Sequence, residues 1–139
     1  MERTTGASQS DLKFRVKRVY DSPASRDGTR VLVDRLWPRG LRKQSARLDE
    51  WLKEIAPSDA LRRWFGHEPS RWEDFKQRYF AELDAKPDAW GDVLGRARNG
   101  PVTLLYAARD PDHNNAVALK LYLERRAKRS GRNRASKRR

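Results

Sequence analysis

Charged side chains directly follow the two most apolar runs of the sequence, residues 31–33 and 102–108. The residues concerned are Asp34, Arg35, Arg39, Arg109 and Asp110. A guanidinium group binds a phosphate or carboxylate through paired hydrogen bonds, and a carboxylate beside it can orient it. If the two runs are neighbouring parallel strands, their carboxyl ends share one edge of the sheet and border one crevice. The pattern therefore predicts an anion pocket whose arginines hold the ligand and whose aspartates orient the arginines.

The residues after Asp110 extend this pocket. His113 and Asn114 fall in the first turn of a predicted helix, where free amides and the helix dipole attract anions. Asp34 or His113 is a candidate general base, provided that its surroundings shift its pKa suitably. A structural interpretation stays open: the charged residues can be ion pairs that fasten strand ends, with Asp110 a helix cap. A surface role in the first turn stays open for His113.

Aromatic side chains are candidates for the wall of the pocket. Trp37 follows the first apolar run, and Trp64 and His67 belong to the stretch WFGHEPSRW, residues 64–72. We expect these three side chains to enclose the ligand. Core packing is the alternative for both tryptophans, since large aromatic side chains dominate protein cores. For His67 the alternative is a cap of the helix that follows it.

These groups require a small α/β domain to position them. Alternating apolar and basic residues predict a strand over 14–20, and the apolar runs predict strands over 30–36 and 102–108. A long helical crossover between the last two strands makes them parallel. We therefore expect a single α/β domain with a short, mostly parallel sheet flanked by helices.

The segments between the last two predicted strands, and the segment after the last one, have helical patterns. One apolar stripe with helical spacing consists of Leu48, Trp51, Leu52 and Ile55. Ser70 and Glu73 have the spacing of a capping box and open a longer helix. Further helices are predicted at 60–65, 88–99 and 114–126.

The composition excludes several classes of function. The chain of 139 residues has no cysteine, which excludes a disulfide framework, a thiolate zinc site and a cysteine nucleophile. Two histidines and no acidic cluster predict no metal, and the absence of a glycine-rich phosphate loop predicts no cofactor. No apolar run approaches the roughly 20 residues of a membrane span. The first residues lack the apolar centre of a secretory signal, so we expect a cytoplasmic protein.

The positive charge is concentrated at the carboxyl end. Of the formal net charge of +13, residues 124–139 carry nine bases and one acid. The bases are Arg125, Arg126, Lys128, Arg129, Arg132, Arg134, Lys137, Arg138 and Arg139. We expect a disordered leader over 1–12, the α/β domain over 13–124 and a disordered basic tail over 125–139. Such a tail binds nucleic acid without sequence preference, or it only increases solubility; it has no apolar anchor for a membrane.

Three stretches together resemble the YeaO-like branch of the domain-of-unknown-function family 488. They are VLVDRLWPRG (31–40), WFGHEPSRW (64–72) and VTLLYAARDPDHNNA (102–116). The resemblance covers about residues 14–124 and implies a compact α/β domain. Its motif positions fall on Asp34, Arg35, Trp37, Pro38, Arg39, Gly40, Trp64, Phe65, Gly66, His67, Asp110, His113 and Asn114.

One departure from the wider family limits the chemistry that the resemblance implies. Relatives often carry a Cys-His-Arg triplet after the last strand, where this chain has Asn114, Asn115 and Ala116. Thiol chemistry therefore does not transfer to this chain, and the remaining groups suit binding or acid–base hydrolysis better than covalent catalysis. Whether the protein is an enzyme, and its oligomeric state, stay open at this point.

Overall fold

The computed structural model describes the backbone of residues 12–137 and the side chains up to Arg129. Within that range the strands are β1 (Arg15–Arg18), β2 (Thr29–Leu32), β3 (Glu50–Trp51) and β4 (Val102–Tyr106). The α-helices are α1 (Lys43–Ala46), α2 (Asp59–Phe65), α3 (Trp72–Asp84), α4 (Pro87–Ala97) and α5 (Asn115–Lys137). The strands form one parallel sheet in the order β1-β4-β2-β3, so the predicted α/β class is confirmed.

Strand β4 lies at the centre of the sheet, between β1 and β2. All five of its residues are buried, which explains its continuous apolar sequence. Leu104 pairs with Val16 of β1 on one side and with Val31 of β2 on the other. The alternating pattern of β1 belongs to an edge strand with one covered face, and β1 also runs parallel to β4.

The registers bring three strand ends to one level. Beyond β2, the Val33 amide donates to the Leu105 carbonyl at 3.1 Å. Beyond β1, the Val19 amide donates to the Tyr106 carbonyl at 2.7 Å. The two apolar runs that were far apart in the sequence therefore end side by side, as the predicted pocket requires.

The two faces of the sheet pack against different layers. Val31 and Leu104 point into the main core, together with the Phe75–Tyr79–Leu83 stripe of α3 and buried residues of α5. Their neighbours Leu32 and Leu105 point to the opposite face and into a smaller cluster. That cluster is covered by the segment between β2 and β3, which includes the short helix α1, whereas the longer helices α3 and α5 cover the other face.

The helix predicted from Leu48 to Ile55 is wrong. This segment forms β3, which pairs with β2, followed by a 3-10 turn over Lys53–Ile55. Trp51 packs in the smaller cluster, whereas Leu52 and Ile55 pack in the main core. The apolar residues are thus divided between the two faces of the sheet, although their spacing also fits one helical stripe.

The helix ends follow the sequence only in part. The Ser58 hydroxyl caps α2 by accepting from the Leu61 amide at 3.1 Å, and Gly66 ends α2 in the left-handed region with φ 55°. The capping box of Ser70 and Glu73 is wrong, since a 3-10 turn over Pro69–Arg71 leads into α3 without a side-chain cap.

Helix α5 begins and ends later than predicted. It starts at Asn115, so His113 and Asn114 precede the helix and do not form its first turn, and the Asn114 side chain accepts from the Val117 amide at 3.0 Å as its cap. At the other end, Ala127 is fully buried and α5 continues to Lys137, so the predicted domain boundary after residue 124 lies inside the helix. Of the predicted leader, only Leu12 lies within the described residues, and it packs in the main core. No helix of residues 12–137 is long and apolar enough to cross a membrane.

Candidate functional site

A cleft of about 1110 Å³ opens at the edge of the sheet where β1, β2 and β4 end. The segment before α2 and the loop before α5 complete its walls. Nine of the ten residues predicted for the pocket line this cleft: Asp34, Arg35, Trp37, Arg39, His67, Arg109, Asp110, His113 and Asn114. The structure thus brings together all of these residues but Trp64, while the roles assigned to them stay predictions.

The cleft carries an excess of positive charge. Its charged lining consists of five arginines and two aspartates, a formal charge of +3 with the histidines neutral. The arginines are Arg18, Arg35, Arg39, Arg62 and Arg109. A concave surface with one sign of charge concentrates ligands of the opposite sign, so the cleft favours anions.

Two of the arginines are held in place by backbone carbonyls. Arg35 donates from Nε to the Pro57 carbonyl at 3.1 Å and from Nη2 to the Ala56 carbonyl at 3.3 Å. Arg18 donates in the same way to the carbonyls of residues 107 and 108. A guanidinium has five N–H donors, so both side chains keep donors for a ligand. Neither of the two aspartates predicted to orient the arginines is hydrogen-bonded to a described arginine; their partners are backbone amides and the side chains of residues 113 and 115.

The other arginines have looser surroundings. Arg39 and Arg109 are exposed, and neither makes a side-chain hydrogen bond or ion pair with another described residue. Arg62 is also exposed and makes a long contact of 3.4 Å with Asp59. These three guanidinium groups can turn towards an incoming anion without breaking a strong interaction.

Asp34 joins three elements at the centre of the cleft. Its carboxylate accepts from the Ala107 amide after β4 and from the Asn115 side chain at the start of α5, each at 3.0 Å. The same Asn115 amide also donates to the Val33 carbonyl at 2.9 Å. Burial raises the pKa of Asp34, and the two hydrogen bonds only partly offset this effect. A raised pKa suits a general base, but the hydrogen bonds alone give Asp34 a structural role.

Asp110 and His113 form a second polar pair on the rim. His113 Nδ1 lies 2.8 Å from one Asp110 oxygen, while the other oxygen accepts from the Asp112 and His113 amides. These bonds, the Asp112 amide foremost, lower the pKa of Asp110. The His113 ring packs edge-on against Trp72, with 5.3 Å between centroids. A carboxylate that fixes one ring nitrogen leaves the other for a ligand or proton.

Two of the backbone amides near the start of α5 are already used inside the protein. The His113 amide already donates to Asp110, and the Val117 amide donates to Asn114. Asn114 also uses its own Nδ2 to reach the Asp110 carbonyl at 2.9 Å, so both ends of this buried side chain are bonded inside the protein. Asn114 therefore lines the cleft as a helix cap.

The aromatic wall differs from the prediction at one residue. Trp37 lines the cleft, where it packs edge-on against Trp51 at 5.2 Å and donates from Nε1 to the Leu41 carbonyl. Trp64 lies outside it, between the guanidinium groups of Arg71 and Arg78. Successive helical residues are about 100° apart, so the adjacent Phe65 lines the cleft whereas Trp64 points away from it.

Several lining residues escaped the sequence reasoning. Arg18 could have been found, since it ends a parallel strand just as residues 34 and 109 follow one. Tyr20 and Leu36 gave no signal in the sequence, and the structure shows both exposed at the cleft, by 40% and 60%. Asn115 was noted only as a departure from the wider family. Among the described residues, no three His, Asp or Glu side chains converge as metal ligands.

Comparisons with known proteins show the family. A family model described as the inactive DUF488-N3 subclade matches residues 13–138. The uncharacterized protein YeaO of Escherichia coli K12 is 43% identical over 108 residues, which is 78% of this chain and 94% of that protein. The uncharacterized proteins Mb3100c of Mycobacterium bovis and Rv3073c of Mycobacterium tuberculosis are each 40% identical over 111 residues, covering 78% of this chain and 92% of theirs. No solved structure matches the chain. The protein therefore belongs to the DUF488-N3i family, as a YeaO-like member of it.

Proposed function

We propose that the protein binds a small anionic or phosphate-bearing ligand in the cleft at the ends of β1, β2 and β4. The observation that carries the proposal is the position of Arg39 and Arg109. Both guanidinium groups are exposed on the lining of one concave surface with a formal charge of +3, and neither is paired with another described residue. Arginine is the side chain best suited to planar, two-pronged recognition of phosphate and carboxylate.

The fixed arginines add pre-organised donors. Arg18 and Arg35 are oriented by backbone carbonyls before any ligand arrives, so little side-chain entropy is lost when they bind. The description of the matching family as inactive favours binding over turnover. Asp34 and His113 then serve as structural and ligand-contacting groups, and their use as acid–base catalysts is a separate proposal that requires an observed reaction.

The test is the affinity for inorganic phosphate, measured by isothermal titration calorimetry. Loss of a charge-assisted hydrogen-bond donor costs roughly 1.5–3 kcal/mol, so Arg109→Ala should weaken binding by about 10- to 100-fold. The melting temperature should stay unchanged, because Arg109 has no described partner to lose. Arg98→Ala is the matched control, since Arg98 is exposed before the start of β4, at the opposite edge of the sheet.

Three results would overturn the proposal. One is unchanged phosphate affinity in Arg109→Ala. The other is a marked loss of stability in that variant, which would assign Arg109 a structural role. Absence of phosphate binding by the unaltered protein at millimolar concentration would have the same consequence.

Nucleic-acid binding through the basic segment 125–139 is the second candidate function. It is supported by the exposure of Arg125, Lys128 and Arg129 on α5, whereas Arg126 is used internally against Asp84 at 2.5 Å. Deleting residues 130–139 removes five bases but keeps the buried Ala127. The truncated chain should lose affinity for duplex DNA, and the slope of log K against log salt should fall by up to about 4. Full, salt-sensitive affinity after truncation would refute this role.

A further inference from the structure

The cleft has an apolar side as well as a cationic one. Within the described part of the chain, Tyr20 and Leu36 are the large apolar side chains left exposed, and both line the cleft. Trp37 and Pro38 continue the same wall, and Phe65 and Phe75 add apolar surface deeper in the core. Exposed apolar groups that gather in one concave site indicate a binding surface, whereas scattered ones do not.

This apolar wall is held in a fixed shape. The Tyr20 hydroxyl donates to the Arg39 carbonyl at 2.7 Å, and the Trp37 indole donates to the Leu41 carbonyl at 2.9 Å. Trp37 also packs against Trp51 across the smaller cluster. The wall is therefore formed before a ligand binds, as is usual for small-molecule sites.

Cationic and apolar groups alternate along the wall at short range. The Arg18 guanidinium lies 4.7 Å from the centre of the Tyr20 ring, and the hydroxyl of the same residue donates to the Arg39 carbonyl at 2.7 Å. An anion bound by Arg18 thus has the exposed Tyr20 ring within a few ångströms. A free inorganic anion would contact the arginines and leave the apolar side chains of this surface without a partner.

We propose that the ligand is an amphipathic anion, in which a phosphate or carboxylate is joined to a planar aromatic or apolar group that packs against Tyr20, Leu36 and Trp37. This inference rests on the proposed function and narrows its ligand class. The anionic head group of the ligand would bind the arginines through charge complementarity. Its apolar group would pack against the adjacent apolar wall.

The experiment compares pairs of probes that share a head group. Methyl phosphate and phenyl phosphate form one pair, and acetate and benzoate form the other. The aromatic member of the pair that binds should bind at least about tenfold more tightly, the change expected from burying roughly 60 Å² of apolar surface. Which pair binds more strongly distinguishes a phosphate from a carboxylate head group.

Two variants locate the effect. Leu36→Ala should reduce the advantage of the aromatic probe by about threefold or more without changing the affinity for inorganic phosphate. Leu121 is a half-buried leucine of α5 outside the cleft, so Leu121→Ala should change neither the advantage of the aromatic probe nor the affinity for inorganic phosphate.

The outcomes separate this inference from the proposed function. Equal affinities within both pairs, or an aromatic advantage that survives in Leu36→Ala, would overturn the amphipathic ligand while phosphate binding remains. Failure of inorganic phosphate and all four probes to bind at millimolar concentration would overturn both.

Discussion

Replacing Asn115 with alanine should detach the start of α5 from the end of β2. The Asn115 amide donates to the Val33 carbonyl at 2.9 Å and to the Asp34 carboxylate at 3.0 Å. A hydrogen bond to a carbonyl contributes about 1 kcal/mol and one to a charged group about 1.5–3 kcal/mol. Alanine recovers up to about 0.5 kcal/mol through its higher helix propensity. We therefore expect Asn115→Ala to lower the free energy of unfolding by roughly 2–3.5 kcal/mol at neutral pH.

The cost should depend on pH, because one of the two acceptors titrates. Burial raises the pKa of Asp34 above its ordinary value of 3.8, so the folded state holds the proton more tightly than the unfolded state does. Stability consequently falls as pH rises through the window that begins near 3.8 and ends at the raised pKa. The Asn115 hydrogen bond lowers this pKa, so its removal widens the window and deepens the fall by about 1.4 kcal/mol per pKa unit.

Urea unfolding at about pH 3.5 and about pH 7 measures this dependence. The loss of stability in Asn115→Ala should be larger at the higher pH. In an Asp34→Asn background, the loss caused by Asn115→Ala should be the same at both pH values. Asn99→Ala, an exposed asparagine in the turn before β4, should change stability by less than about 0.5 kcal/mol at both pH values. An equal loss at both pH values would refute the coupling between Asn115 and the Asp34 carboxylate.

Two further substitutions test the opposite edge of the sheet. Gly28 has φ 64°, and an added Cβ would collide with a carbonyl oxygen beside the start of β4, so Gly28→Ala should cost more than about 3 kcal/mol in urea unfolding. Gly100→Ala, where a Cβ meets open space, should cost at most about 1 kcal/mol. Arg30→Ala should cost about 3–5 kcal/mol, because it leaves the buried Asp27 without its closest guanidinium partner at 2.5 Å. The exposed Arg26→Ala serves as control, and similar melting temperatures for the two arginine variants would contradict this assignment.

The strands that form the cleft could be predicted because their sequences carry a local signal. The run around Leu104 is buried on both faces, and a charged residue directly follows it and the β2 run. The rule that carboxyl ends of parallel strands meet at one edge then brought the residues that follow both runs into one cleft. That inference needs only strand identity and direction, which two apolar runs with a long crossover provide.

The features that could not be predicted depend on tertiary contacts, that is, on the face of the sheet or the neighbouring helix against which each side chain packs. Trp51 and Leu52 pack on opposite faces of the sheet, and nothing in their spacing distinguishes this from a helical stripe. Trp64 was assigned to the cleft by its neighbours in sequence, whereas its position on α2 turns it towards α3. Asn115 reaches Asp34 only because β2 and α5 meet in space.

The location of bound phosphate on the protein tests the central claim most directly. In an NMR titration with inorganic phosphate, the side-chain Nε–Hε signals of Arg39 and Arg109 should shift and saturate with one common affinity, while the Arg98 signal at the far edge of the sheet stays constant. Shifts confined to arginines outside the cleft, or no saturable shift of Arg39 and Arg109, would contradict the claim that these guanidinium groups form an anion site.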